Sequence, residues 1–347
     1  MSIRTALQTP TKFPNTRYMG SKQKLLPTIV QVINQLNPAT ALDAFAGSGC
    51  VAYLLKEEGV AVTSNDFLKF SYHIANASIA NSHTKLSDED IEYLVNHKSG
   101  KHTFIQDTFK GLYYSDEDNA FLDNLWWNIN DLKDEYKKSL AFAAVSRACI
   151  KRRPRGMFAY TGFRYDDGRN DLKLSLREHF IKAAQEWNDA VIDNQTLCSA
   201  TNEDVFNLAD KGYDLVYIDP PYVSSHSDND YTRRYHFVEG YITYWQGVEI
   251  QDHTKTKKIK SNPTRFSSKT TIYKAFDDLF AQFPSSTLLV SYSSNSIPSK
   301  DEMIKLLKAH RKSVEMIEVD YKYSFGTHAH KVGDNKNTVS EYLFIAK

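Results

Sequence analysis

Two short stretches place chemically capable residues at a useful spacing. Asp219-Pro220-Pro221-Tyr222 follows Asp214–Ile218, an apolar run with strand character. Two prolines forbid helix and remove two N–H donors, so the chain leaves its sheet as a rigid turn. At the carboxyl edge of an open α/β sheet, that turn lies where ligands bind. It presents a carboxylate, a proline carbonyl and an aromatic ring side by side, a set suited to a planar amino-heterocycle. Asp219 and the Pro220 carbonyl accept hydrogen bonds from an exocyclic amino group, and Tyr222 stacks on the ring face. Both acceptors draw on the amino hydrogens and leave the nitrogen lone pair more nucleophilic.

The second stretch is Phe45-Ala46-Gly47-Ser48-Gly49, between an apolar strand and a helix. Its glycines let the backbone turn tightly and let a ligand approach the main chain, while the helix N-terminus offers free N–H groups. Asp66 comes at the end of the next strand, where an acid can accept two ribose hydroxyls of a nucleotide-like ligand. Gly47, Gly49 and Ala52 also satisfy the spacing G-x-G-x-x-A. A structural turn in a parallel sheet, with Asp66 an ordinary strand-end residue, is the plainer reading of the same residues.

The elements that must position these groups read as strand (Ala41–Phe45), glycine loop, helix (Cys50–Glu58) and a second strand (Val60–Thr63), the opening of a doubly wound sheet. Ser87…Asp90 and Ser115…Asp118 carry capping-box spacing. Leu140–Ile150 and Leu172–Ile192 read as amphipathic helices, Asp214–Ile218 and Thr287–Tyr292 as strands. Val314–Tyr323 and Val339–Ile345 alternate as two antiparallel edge strands. β/α elements at both ends with a mainly helical block between predict an insertion in one α/β domain. The expected parts are 1–83, an inserted 84–194, and 195–347.

With 347 residues, 41% hydrophobic and 24% charged, the chain can bury a sizeable core and is not of disordered composition. The net charge of +1 excludes a simple polycation, but it is a sum of opposed blocks. Lys85–Glu135 holds 12 acidic against 5 basic residues, Arg147–Arg177 holds 9 basic against 3 acidic, and His253–Lys274 holds 7 Lys or Arg and no acid. Three scattered cysteines give neither a disulfide framework nor a zinc site, which predicts a reducing compartment. No metal site is expected. No run approaches a membrane span, and Met1–Thr16 reads as a loose arm rather than a signal peptide, so the expected location is cytoplasmic.

These motifs, in this order, resemble the Dam-like (D12-class) DNA adenine-N6 methyltransferases that use S-adenosylmethionine. The family's F-x-G-x-G is similar to Phe45–Gly49, its D-P-P-Y to Asp219–Tyr222, and its N-terminal aromatic-x-Gly-Ser-Lys to Tyr18-Met19-Gly20-Ser21-Lys22. The resemblance implies a Rossmann-like doubly wound methyltransferase sheet. It implies cofactor contacts at Tyr18, Lys22, Asp43, Phe45, Gly47, Ser48, Gly49, Asp66, Asp204, Val205 and Asp219. Asp204 also reads as the N-cap of a short helix. The middle block matches no motif and is where this motif order puts a target-recognition domain.

Lys151-Arg152-Arg153-Pro154-Arg155, followed by Tyr160 and Arg164, mixes guanidinium groups with aromatics in a loop, as a DNA-contacting segment would. Lys257, Lys258 and Lys260 read as a second phosphate-contacting loop, with a solvated basic face the plainer alternative for both. Tyr231, Arg233, Arg234, Tyr235, His236 and Phe237 lie close after Tyr222 and read as lining for a flipped base, although a lone histidine is more often structural. No Cys follows a Pro, so the thiol of C5-cytosine chemistry is missing. The expected reaction is in-line methyl transfer to adenine N6 in double-stranded DNA after base flipping, within a restriction-modification system that includes a cognate endonuclease. A monomer or weak dimer, with no membrane partner, is expected. Cytosine-N4 methylation and a nicotinamide-dependent oxidoreductase are the competing readings.

Overall fold

The computed structural model describes residues 12–100, 102–154, 158–162, 168–223, 230–260, 263–322 and 338–347. The chain divides into two compact units, Met1–Ala39 with Ala46–Glu203 and Tyr231–Asn262, and Thr40–Phe45 with Asp204–Asp230 and Pro263–Lys347.

In the first unit, helix α1 (Leu26–Leu36) and helix α2 (Cys50–Glu57) precede strand β2 (Ala61–Asn65), numbered in chain order after strand β1 (Thr40–Asp43) of the other unit. β2 pairs in parallel with strand β3 (Ser199–Thr201), whose three residues are too few to announce themselves as a strand. Helix α3 (Lys69–Ala75) runs into a π-helical turn, Asn76–Ala80. Lys56, fully buried on α2, donates to the carbonyls of Ser78, Ile79 and Asn81 at 3.1, 2.8 and 2.8 Å, satisfying the oxygens such an irregular end exposes. Burial pushes its pKa down to about 8.

The inserted block is helical: α4 (Asp88–Asn96), α5 (Phe104–Thr108), α6 (Asp116–Asp131), α7 (Glu135–Arg152) and α8 (Leu176–Asp189), with the short α9 (Tyr231–Arg234) and α10 (His236–Ile242) later in the chain. The predicted capping box at Ser87 is present in full, and at Ser115 the hydroxyl accepts from the Asp118 N–H. α7 is buried continuously from Ser139 to Ile150, so it is the axis of this unit, packing on α3 and α8. An unbroken Ala-rich face all round marks a helix enclosed by others.

The second unit is a mixed sheet. β1, strand β4 (Leu215–Ile218) and strand β5 (Thr287–Ser293) are parallel neighbours in the order β1-β4-β5. Strand β7 (Thr338–Ala346) lies antiparallel to β5, and strand β6 (Val314–Lys322) antiparallel to β7. Helices α11 (Ile272–Gln282) and α12 (Lys300–His310) complete it. Phe276, Phe280, Leu307, Val216, Val290 and Phe344 meet in its core. The sequence reading of two edge strands needs correcting, because β7 is interior and only β6 forms the edge. Leu343–Ala346 is a buried run on both faces, as an enclosed strand requires, whereas β6 is half-exposed.

Candidate active site

The glycine turn is built around Asp66. One carboxylate oxygen accepts the Gly47 N–H at 2.6 Å and the other accepts the Leu68 N–H at 2.7 Å, so the acid is fixed at the end of β2. Burial raises its pKa to about 6, against the pull of those two N–H groups. Gly47 and Gly49 have φ of 53° and 81°, the left-handed region where a side chain is strained. A Cβ on Gly47 would lie 3.0 Å from the Tyr18 ring, so the main chain and this ring are in close contact. Ser48 is buried, its hydroxyl 3.2 Å from Ser21 Oγ.

Tyr18 clusters with two other rings, 5.6 Å from Tyr231 and 5.1 Å from Tyr235 and nearly parallel to both, while those two lie 6.4 Å apart. The same tyrosines grip the preceding backbone: Met19 N–H donates to Tyr235 Oη at 2.7 Å, and Tyr231 Oη donates to the Met19 carbonyl at 3.4 Å. Tyr231 and Tyr235 therefore brace the Tyr18 segment. Lys22 is buried and donates to the Gly20 carbonyl at 3.2 Å. Tyr18, Gly47, Ser48 and Asp66 are thus brought together in the first unit, and burial followed by the charge of Asp66 drives the Tyr18 pKa well up.

In the second unit, Asp43 ends β1 and is buried, paired in register with Tyr217 of β4. Phe45 meets Phe266 edge-on at 5.3 Å. Asp204 is an exposed N-cap whose side chain accepts from the Phe206 N–H, and Val205 behind it is buried. Phe206 stacks on Phe266 and carries the Arg265 guanidinium 4.0 Å from its ring centroid. At the end of β4, four buried residues deliver Asp219, with Pro220 buried and Pro221 and Tyr222 half-buried. Tyr222 Oη is 2.6 Å from Asp219 Oδ1 and 2.8 Å from Glu341 Oε1, and the ring meets Tyr292 edge-on at 5.0 Å. Burial, then the charges of Asp219 and Glu341, raises the Tyr222 pKa well above its ordinary value.

The first basic run separates by direction. Lys151 and Arg152 end α7, and Arg152 donates to the Leu172 carbonyl with Asp118 at 3.8 Å. Arg153 is fully buried and donates to the carbonyls of Tyr113, Gly162 and Tyr160 at 3.1, 3.2 and 2.7 Å, its guanidinium 5.0 Å from the Tyr113 ring centroid. The expectation that Arg153 contacts DNA is therefore corrected: its donors organise a loop. Tyr160 Oη donates to the Pro154 carbonyl at 2.7 Å. Arg155 and Arg164 lie outside the described residues. The second run forms a tight hairpin closed by the Ile250–Ile259 bridge. There Lys257 pairs with Asp252 at 2.7 Å and Lys260 with Glu249 at 2.8 Å, while Lys258 shares the same turn. His236 is structural, buried with Nε2 3.1 Å from Tyr113 Oη and 3.2 Å from the Phe158 carbonyl, and burial lowers its pKa to about 3.

Two acids escaped the sequence reading. Glu239 on α10 accepts the Lys69 and Phe70 N–H groups at 3.0 and 3.2 Å and so caps α3 directly after Asp66-Phe67-Leu68, with burial raising its pKa to about 7. Glu341 on β7 reaches Tyr222. Neither has a local motif. The only trace is a Glu within an otherwise apolar run, as at His236–Ile242.

A glycine turn on a strand-end acid, and an Asp-Pro-Pro-Tyr turn on a buried parallel strand, are parts of an α/β group-transfer enzyme. The sequence pattern of the D12 class N6 adenine-specific DNA methyltransferase matches residues 18–305, and the chain belongs to that family. It is 27% identical to the type II methyltransferase M2.HphI of Haemophilus parahaemolyticus, over 97% of this chain and 98% of that protein. It is 28% identical to the modification methylase LlaI of Lactococcus lactis subsp. lactis, over 88% of this chain and 50% of that protein. A third relative, the type II methyltransferase M.FokI of Planomicrobium okeanokoites, is 28% identical over 94% of this chain and 52% of that protein. The protein is an adenine-specific DNA methyltransferase with the Rossmann-like fold of its family. Its substrate is DNA and its reaction consumes a methyl donor. No helix among the described residues is long and apolar enough to cross a membrane.

Proposed function

We propose that the methyl donor is S-adenosylmethionine and that the acceptor is N6 of an adenine flipped out of duplex DNA. The residues of the first unit fit such a donor. Asp66 keeps a lone pair on each oxygen after accepting its two N–H groups, enough for two ribose hydroxyls. The glycine turn, with no side chain at Gly47 or Gly49, suits close approach of a ligand to the main chain. The resemblance extends cofactor contacts to Tyr18, Lys22, Gly47, Ser48 and Gly49, and to Asp43, Phe45, Asp204 and Val205. When bound, the donor supplies an electrophilic methyl group on a sulfonium. Asp219 and the Pro220 carbonyl would accept the N6 hydrogens, Pro221 would hold the turn rigid, and Tyr222 would stack on the base. The forming N–C bond replaces the breaking S–C bond in line, and the released N6 proton leaves by way of Asp219 or solvent. The enzyme's share is mostly alignment.

The observation that carries this reading is Asp219 fixed through the Tyr222 hydroxyl at 2.6 Å on a fully buried strand. Pulling a base from the stack costs a few kcal/mol, which pocket contacts must offset. Lys151, Arg152, Lys257, Lys258 and Lys260 would carry phosphate contacts, with residues 84–194 supplying target recognition. The relatives' names support a place in a restriction-modification system alongside a cognate endonuclease, and the protein would act in the cytoplasm as a monomer or weak dimer. Labelled methyl transfer to duplex DNA tests the assignment. Asp219→Ala should abolish transfer, whereas full activity in that variant would overturn it.

A further inference from the structure

Glu341 is fully buried on β7, paired in register with Ser293 of β5 and Val319 of β6. Its Oε1 stands 2.8 Å from Tyr222 Oη and 3.2 Å from Ser291 Oγ, while Tyr222 Oη stands 2.6 Å from Asp219 Oδ1. All four residues belong to the second unit. Two short contacts flank one phenol, whose oxygen also lies 3.4 Å from the Ser291 carbonyl, and each short contact needs a hydrogen between its oxygens. The phenol has only one to give. Burial keeps that hydrogen on Tyr222 at any ordinary pH, so the second lies on a carboxyl group. Asp219 is the partly exposed acid and the one assigned to receive the substrate's amino hydrogens, which requires a carboxylate. Glu341 is the enclosed one, where the neutral form is favoured.

We infer that Glu341 is a positioning residue for methyl transfer, acting as a neutral acid that donates to Tyr222 Oη and so turns the tyrosine's own hydrogen onto Asp219 Oδ1. Ser291 Oγ–H donates to Glu341 Oε1 and holds the acid in that rotamer. The run from Ser291 to Asp219 then has one hydrogen per contact, pointing one way. It fixes the Asp219 carboxylate through Oδ1. The same bond fixes the tilt of the Tyr222 ring. The inference rests on the role assigned above to Asp219.

Single-turnover methyl transfer, DNA KM, cofactor Kd and Tm are to be compared for Glu341→Gln, Glu341→Ala, Tyr222→Phe and Asp219→Ala. In Glu341→Gln an amide N–H₂ in the place of Oε1 can donate one hydrogen to Tyr222 Oη and the other to Ser291 Oγ, so kcat should stay within about three-fold of wild type. Glu341→Ala leaves Tyr222 unguided, and kcat should fall about 10–100-fold, the scale of a misplaced reacting group, with KM and cofactor Kd within about two-fold. Tyr222→Phe, which keeps the ring, should show a comparable fall, and Glu341→Ala added to it should change nothing further. If Glu341→Ala does not fold, wild-type kcat in Tyr222→Phe overturns the inference. Wild-type kcat in Glu341→Ala overturns the inference. So does a Glu341→Gln loss as large as that of Glu341→Ala, which would mean an ionised carboxylate is required. Activity surviving in Asp219→Ala overturns the assignment of Asp219 instead, whereas a dead Asp219→Ala beside unaffected Glu341 variants overturns this inference alone.

Discussion

Asp66 gives a prediction in which binding and stability move in opposite directions with pH. Burial raises its pKa to about 6 in the folded protein without ligand, from an ordinary value of 3.8. Accepting two ribose hydroxyls requires the carboxylate, so cofactor binding must first remove the proton wherever the acid is neutral. At pH 5 about one site in ten is ionised, and the cofactor Kd should be about ten-fold weaker than at pH 7.5. Asp66→Asn should flatten that dependence. The amide also places an N–H₂ where a buried N–H from Gly47 or Leu68 now donates to an acceptor, and it loses charge-assisted bonds worth about 1.5–3 kcal/mol each. Its Kd should therefore rise by about 10–100-fold at pH 7.5.

The stability of the ligand-free protein has the other sign. Between about pH 4 and 6 the folded chain holds a proton on Asp66 that the unfolded chain has released. That contribution is fully present below pH 4 and is lost as pH rises through 6, an amount on the order of 3 kcal/mol. Isothermal titration with S-adenosylhomocysteine from pH 5 to 8 gives the first curve, and thermal melts of wild type and Asp66→Asn give the second. A wild-type Kd that does not change across that range, or Asp66→Asn binding as tightly as wild type, would refute the role of this acid.

Three further outcomes are expected. Arg153→Met should lower the Tm by several degrees, because three buried carbonyls lose their donor, yet leave the salt slope of DNA binding unchanged. A slope reduced by one would return Arg153 to the DNA interface. Lys56→Met strands the carbonyls of Ser78, Ile79 and Asn81 and should cost about 2–4 kcal/mol in urea unfolding, and an unchanged midpoint would sink that account. Glu249→Gln releases Lys260 from its exposed partner and should tighten DNA binding a few-fold at low salt, whereas Lys260→Ala should lower the salt slope by about one. Glu249→Gln binding no better than wild type would mean that Lys260 meets no phosphate.

The parts of the fold written in local chemistry were legible from the residues. The glycine turn needs two left-handed positions and has glycine at both, Ser87 closes the full capping box while Ser115 supplies only its hydroxyl half, and a buried parallel strand must be a run like Leu215–Ile218. What could not be read depends on partners distant in sequence. β3 is a strand only because β2 lies beside it. Glu341 is more than a hundred residues from Tyr222 along the chain, and no spacing rule links a strand-borne Glu to a proline turn. The pairing of β7 with β5 was readable only as alternation, and alternation does not say which of two neighbouring strands is the edge.

Charge was the least legible property, and geometry explains why. A run such as Lys151-Arg152-Arg153 reads as one basic patch, but successive residues on a helix point about 100° apart, and α7 ends within the run. Arg153, just past that end, turns inward onto three carbonyls, while Lys151 stays half-exposed. In the Glu249–Lys260 hairpin the opposite holds, because the lysines stay at the surface but are answered by acids that precede the basic stretch. Exposed pairs of this kind are worth about 0–1 kcal/mol, so a phosphate can displace the carboxylate at little cost. A buried guanidinium cannot be exchanged in that way, since withdrawing it would leave its carbonyl partners unsatisfied in the interior. The basic residues therefore fall into two kinds that composition cannot separate: those fixed as donors inside the first unit, and those held in pairs weak enough to be given up to DNA.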